Sequence, residues 1–104
     1  MSLSRRDSEG WVITEQQQKV EEPPLYRVIL HNDDYTTMDF VVMVLETIFH
    51  RTTVEATQIM LDVHQRGVGT AGIYPRDLAE TKTAMVFDLA RKNDFPLKCS
   101  IERA

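Results

Sequence analysis

The chain has 104 residues, 42% of them hydrophobic, and a formal net charge of −4 at pH 7, which is the composition of one small globular domain. An acidic domain lacks the basic surface that contacts phosphates, so no nucleic-acid binding is expected. No run of about 18 apolar residues is present to span a bilayer, and no apolar segment follows Arg5 and Arg6 as in a secretory signal. The single cysteine, Cys99, cannot form an internal disulfide, so we expect a cytoplasmic protein.

Residues 1–24 are expected to form a flexible N-terminal extension to a folded domain over residues 25–104. The extension is polar apart from one short apolar cluster, Trp11-Val12-Ile13, and cannot bury enough apolar surface to order itself. Pro23-Pro24 stiffens the junction and marks the domain boundary. In a tail presented to a partner, Trp11 would be the anchor.

The first predicted strand, Leu25 to His31, runs directly into an acidic loop, residues 32–36, which begins Asn32-Asp33-Asp34. Asn and Asp suit an ordinary strand-to-helix turn, since they tolerate bent backbone and bond their own main chain. The charge distribution favours more than a turn, because no Lys or Arg occurs between Arg27 and Arg51 while several acids do. Such a surface favours a cationic ligand.

Two helices are predicted after the acidic loop. Apolar residues at helical spacing predict the first from about Thr37 to His50, with Thr36 as its N-cap and Asp39 as the capping-box partner. Thr52 and Glu55 form a second capping box, which predicts a helix that ends at Gly67 with a left-handed cap.

The remaining chain predicts a strand over Val68 to Tyr74, a third helix from about Arg76 to Lys92 and a last strand around Leu97 to Ile101. Pro75 suits the first position of the third helix. Its predicted core stripe consists of Leu78, Met85, Val86, Leu89 and Ala90. The order β-α-α-β-α-β predicts an α+β fold with a three-stranded antiparallel sheet and three helices packed against it.

The candidate site joins the acidic loop to the second helix. If that helix packs beside the first, the imidazole of His64 joins Asn32 and the carboxylates of Asp33 and Asp34 in an array of acceptors. Below this array, an apolar wall would be formed by Met38, Val41, Met60 and Val63. Acceptors above hydrocarbon suit an ammonium beside a large apolar group, as at the N-terminus of a peptide.

Two other functions remain open at this point. A metal-dependent hydrolase would use His31, Asp33, Asp34 and His64 as ligands, although His31 should face away from its neighbour Asn32. An interaction domain would instead offer its Met-rich surface to a partner helix. No phosphate loop or nucleophile elbow is present, so covalent catalysis is not expected.

Five ordered motifs resemble the ClpS family of bacterial adaptors for the ClpAP protease. They are Pro23 to Leu30, Asn32 to Thr36, Met60 to His64, Ala79 to Lys82 and Pro96-Leu97. The resemblance covers residues 23–104 and implies a non-enzymatic, cofactor-free adaptor, expected to be monomeric. Such an adaptor binds proteins whose first residue is Phe, Tyr, Trp or Leu and delivers them to the unfoldase ClpA for degradation by ClpP.

The resemblance also implies residue roles. The α-amine would be bound by Asn32, Asp33, Asp34 and His64. The pocket for the first side chain would be lined by Thr36, Met38, Val41, Met60, Val63 and Leu97, with Met38 excluding β-branched residues. Unfoldase docking would use the exposed start of the third helix, around Asp77, Glu80 and Lys82. Thr37 departs from the pattern of this family, because many relatives have Pro at this position.

Overall fold

The computed structural model describes residues 22–104 and contains six regular elements. In chain order they are β1 (Leu25–His31), α1 (Met38–Thr47), α2 (Thr53–Arg66), β2 (Val68–Pro75), α3 (Arg76–Lys92) and β3 (Lys98–Arg103). The sheet has the order β2-β1-β3, and the central strand β1 is antiparallel to both neighbours. The predicted α+β fold is confirmed. Most of the predicted N-terminal extension lies outside the described residues.

The core lies between the sheet and the helices. On β1, alternate residues Val28 and Leu30 are fully buried, which places one face of this strand against the helices. They pack in one cluster with Val44 and Leu45 of α1 and Val86 of α3. Within residues 22–104, no helix is long and apolar enough to cross a membrane.

The start of α1 differs from the prediction by one residue. Thr37, rather than Thr36, is the N-cap, and its hydroxyl oxygen accepts a hydrogen bond from the Phe40 amide at 3.1 Å. Asp39 therefore does not complete a capping box, because the third helical position is Phe40. The helix also ends at Thr47, short of His50.

Both ends of α2 are confirmed. Thr52 and Glu55 form a complete capping box, with the Thr52 hydroxyl accepting from the Glu55 amide and the Glu55 carboxylate accepting from the Thr52 amide. Gly67 ends the helix at φ +91°, a left-handed conformation in which glycine has no Cβ to clash. These local signals fix the length of the helix that carries His64.

The bounds of α3 and the burial of Val86 and Ala90 are confirmed, but two other residues of the predicted core stripe are not buried. Leu78 and Met85, expected in the core, are 43% and 45% exposed. The residues that α3 buries are Ala79, Lys82, Val86 and Ala90. The alanines let the helix approach its neighbours closely, which leaves the larger side chains at the surface. Pro75 is the N-cap and thus precedes the first helical position.

Lys82 is not on an exposed surface, contrary to the prediction. It is only 9% exposed, and its Nζ donates to the carbonyl oxygen of Ile48 at 2.6 Å. Ile48 is the C-cap of α1, a helix with no basic residue in its last turn. Since the C-terminus of a helix carries partial negative charge, the ammonium of Lys82 stabilises this end of α1 from a neighbouring helix.

Candidate functional site

A cleft lies where the acidic loop meets the C-terminal end of α2. The Asn32 amide donates to the Gly67 carbonyl oxygen at 2.9 Å, and the Gly67 amide donates to the Val63 carbonyl oxygen at 3.0 Å. One glycine thus connects the first residue of the loop to the last turn of the helix. This connection brings Asn32 and His64, which are distant in sequence, to the same cleft.

The cleft has a volume of about 390 Å³, within the usual size range of small-ligand pockets. Its lining consists of Asn32, Asp33, Asp34, Tyr35, Thr36, Thr37, Met38, Val41, Met60, Val63 and His64. Val41 and Val63 are nearly buried, Met60 is half-buried and Met38 is 46% exposed. The cleft is therefore apolar at depth, with an adaptable methionine from each helix beside its opening.

Three of the predicted acceptors remain available to a ligand. The side chains of Asn32, Asp34 and His64 are exposed, and within residues 22–104 none of them makes a hydrogen bond or ion pair. Together they offer an amide oxygen, a carboxylate and an imidazole nitrogen. An ammonium group has three donors and matches this set.

Asp33 lines the cleft, but its carboxylate mainly holds the acidic loop in shape. Oδ1 accepts from the amides of Tyr35 at 2.8 Å and Thr36 at 2.7 Å, and Oδ2 accepts from the Thr36 hydroxyl at 2.7 Å. Partial burial raises the pKa of Asp33, but the hydrogen bonds from Thr36 and Tyr35 outweigh it, so the pKa lies below its ordinary value. The carboxylate stays charged beside the cleft.

The metal-binding cluster weighed as an alternative is not assembled. The Nε2 atom of His31 lies 2.7 Å from the Ser100 hydroxyl oxygen on β3, and His31 is not among the residues that line the cleft. In the described part of the chain, no group of three His, Cys, Asp or Glu side chains is placed to bind a metal ion. The alternation of side chains along β1 is the physical reason.

The structure also changes the membership of the predicted site. Tyr35 and Thr37 also line the cleft, although neither was assigned to the site from the sequence. Tyr35 lies in the acidic loop and Thr37 directly follows it, which was the available signal. Leu97 is not among the lining residues. It is 4% exposed and lines a second cavity, between α3 and β3.

Comparison with known proteins agrees with this fold. The family of the ATP-dependent Clp protease adaptor protein ClpS matches residues 21–100. The ClpS adapter of Desulfatibacillum aliphaticivorans is 53% identical over 102 residues, which is 98% of each chain. That of Syntrophus aciditrophicus is 58% identical over 88 residues, covering 85% of this chain and 82% of the relative.

A solved structure of a relative has a similar fold. The structure of Agrobacterium tumefaciens ClpS2 bound to L-phenylalaninamide superposes with a TM-score of 0.76 and 36% identity, covering 80% of this chain and all of that one. The match shares the order of helices and strands of the described domain. This chain therefore belongs to the ClpS family of adaptors for the ATP-dependent Clp protease.

Proposed function

We propose that this protein is a cytoplasmic adaptor that binds the free α-amine and the bulky first residue of substrate proteins. The first residues it accepts are Phe, Tyr, Trp and Leu, and it delivers the bound proteins to the ClpA unfoldase of the ClpAP protease. The observation that carries this proposal is a cleft with exposed acceptors at its rim and hydrocarbon at its floor. The ligand of the solved relative, L-phenylalaninamide, combines a free amine with an aromatic side chain.

The α-ammonium donates to the side chains of Asn32, His64 and Asp34, directly or through water. Asp33 adds negative charge and holds the loop. Charge-assisted hydrogen bonds of this kind are stronger than neutral ones and fix the orientation of the amine. An acetylated N-terminus has neither the charge nor the three donors, so it is rejected.

The first side chain enters the apolar part of the cleft, against Val41, Val63 and Met60. Burial of a Phe or Leu side chain contributes about 1.5–3 kcal/mol. Met38, which projects from the first turn of α1, excludes residues branched at Cβ. Thr36 lies beside the opening, and the contribution of Leu97 to the floor stays a prediction.

Delivery requires a second surface, which we place at the exposed start of α3. Asp77 and Glu80 are exposed there, and Glu80 is paired with Arg76 at 2.9 Å. Lys82, which the resemblance assigned to the same surface, instead caps α1. Docking therefore uses the acidic side chains, and Lys82 supports the helices beneath them.

Peptide binding tests the recognition half of this function. A peptide that begins with free Phe is expected to bind at least about tenfold more tightly than its acetylated form, equivalent to about 1.4 kcal/mol. Free peptides that begin with Ile or Ala are expected to bind more weakly than the Phe peptide. Fluorescence anisotropy of labelled peptides measures each affinity.

The matched variants are Asn32→Ala, which removes a rim acceptor, and Gln58→Ala, an exposed residue of α2 outside the cleft. Only the first is expected to weaken binding of the Phe peptide. Equal affinity for free and acetylated peptides would contradict the proposal and favour a partner helix as the ligand. Loss of binding on addition of a chelator would point to a metal site instead.

A further inference from the structure

A groove adjoins the cleft on the other side of the acidic loop. It has a volume of about 830 Å³, and four of its lining residues also line the cleft: Asn32, Asp33, Asp34 and Tyr35. The acidic loop is thus a ridge between the two cavities. Asn32 and Asp34, two of the acceptors proposed for the α-amine, lie on this ridge, so the groove begins where the amine of a ligand would be held.

The floor of the groove is formed by the face of the sheet opposite the helices. Leu30 is fully buried in the core, so the next residue of β1, His31, faces the other way. The sheet register pairs His31 with Lys98 of β3, and Nε2 of His31 lies 2.7 Å from the hydroxyl oxygen of Ser100. All three residues line the groove, so β1 and β3 both contribute to it.

The two walls of the groove carry opposite charges. Asp33 and Asp34 are on the loop side, and Lys98 is on the β3 side. Lys98 is exposed, and among the described residues that line the groove it is the one Lys or Arg. An acidic side chain that lies in the groove would therefore be repelled near the ridge and attracted by the Lys98 ammonium beyond it.

We propose that this groove binds the residues that follow the first residue of a substrate, and that Lys98 selects an acidic side chain at the third, fourth or fifth position. The inference rests on the proposed function, because it takes the first residue to be held in the cleft. The second residue crosses the ridge, where Tyr35 is 77% exposed and its ring is available to pack against the crossing chain. Since an extended chain advances about 3.3 Å per residue, the next three residues follow the groove past Lys98.

Peptides that begin with free Phe and carry either Glu or Lys at position 3, 4 or 5 test this proposal with the full chain. At one or more of these positions, we expect the wild-type protein to bind the Glu peptide roughly 2- to 10-fold more tightly than the Lys peptide. Lys98→Glu should reverse this preference. The control is Lys92→Glu, which makes the same change in net charge at an exposed residue outside the groove and should keep the wild-type preference.

L-Phenylalaninamide has no following residues, so in competition with a labelled Phe peptide it should bind the wild-type protein and Lys98→Glu equally. This comparison also shows that the variant is folded. The same order of affinities in the wild-type protein and Lys98→Glu at all three positions would overturn the inference while leaving the proposed function intact. An equal change in Lys92→Glu would overturn it too, since net charge would then be the cause. If no free Phe peptide binds, the proposed function fails and this inference fails with it.

Discussion

At the scale of single residues, Asp33 illustrates how a carboxylate can shape a binding site without being its main ligand. Its folded-state pKa is depressed, so the charged form stabilises the folded loop. That contribution is fully present above the ordinary carboxyl value of about 3.9 and is lost as the pH falls through the lower folded value. The loop that presents Asn32 and Asp34 therefore loses support in acid.

We expect Asp33→Ala to lower the free energy of unfolding by about 1 kcal/mol at pH 7, a modest value because the side chain is only partly buried. Urea unfolding at a series of pH values measures it, and the gap to wild type should narrow below pH 4. The control is Asp34→Ala, since Asp34 makes no hydrogen bond among residues 22–104. A gap that is constant with pH would contradict this account of Asp33.

We propose that a ring nitrogen of His64 accepts a hydrogen bond from the α-ammonium of the ligand. We expect His64→Ala to lower the affinity for a free Phe peptide roughly 2- to 10-fold, about the value of one hydrogen bond. His64→Gln should retain more of this affinity, because its amide oxygen also accepts. Titration of the labelled peptide into each variant measures the difference.

The control for this experiment is His50→Asn, because His50 is exposed and lies outside the cleft. Its backbone is left-handed, at φ 55°, a conformation that asparagine tolerates. This variant should keep the wild-type affinity for the Phe peptide. Unchanged affinity in His64→Ala would remove His64 from the role of acceptor.

At the scale of helices and strands, a glycine of β2 sets the distance between that strand and α2. A Cβ atom at Gly69 would lie 2.8 Å from Cγ2 of Val63 and 3.0 Å from the carbonyl oxygen of Ile59. The second contact is with backbone, so an alanine there must push the whole helix outward. The helix carries Val63 and His64, so the cleft would open with it.

We therefore expect Gly69→Ala to destabilise the fold by about 1–3 kcal/mol and to weaken binding of the Phe peptide under conditions where the variant is still folded. Thermal unfolding and peptide titration measure the two effects. Thr70→Ala, the next residue of the strand, serves as control and should retain peptide affinity. Unchanged affinity in folded Gly69→Ala would show that the cleft does not depend on this contact.

Local sequence signals predicted the ends of helices well where only one residue nearby could serve as the cap. The capping box at Thr52 and Glu55 and the left-handed Gly67 belong to this class. Thr36 and Thr37 are both good N-cap residues, and only the hydrogen bonds of Asp33 decide between them. The buried face of α3 was predicted in part. Val86 and Ala90 are buried as expected, but periodicity gives weight to Leu78 and Met85, whereas close packing buries the smaller Ala79.

For the whole molecule, the residue types of the candidate site were visible in the sequence, but their proximity was not. Asn32 and His64 meet only because the chain returns through α2 to the end of β1. The same limitation applies to Lys82, whose acceptor, the Ile48 carbonyl oxygen, is 34 residues away. The resemblance supplied the adaptor function, but a matched motif does not reveal which of its side chains are buried.

Charge reversal on α3 tests the proposed unfoldase docking. We expect Asp77→Lys and Glu80→Lys to weaken binding to purified ClpA at least about fivefold, roughly 1 kcal/mol. The loss of the exposed Arg76–Glu80 pair should cost little stability. Affinity for the Phe peptide should not change. Asp88→Lys, an exposed acid further along α3, is the control.

Unchanged ClpA binding in both variants would move the docking surface elsewhere. Lys82→Met would be a misleading variant for this purpose. It removes the donor to a buried carbonyl oxygen, so the fold itself would be destabilised. Weaker ClpA binding by this variant could then not be assigned to the docking surface.

The hydrogen bond between the acidic loop and the end of α2 has a consequence for the shape of the cleft. Because the Asn32 amide donates to the carbonyl oxygen of Gly67, which caps α2, the two walls cannot slide apart as separate bodies without breaking this hydrogen bond. Room for a wider first residue must come from rotation of flexible side chains, above all the thioethers of Met38 and Met60. If the cleft binds N-terminal residues as proposed, exchange of these two side chains changes which of them fit while the backbone stays fixed.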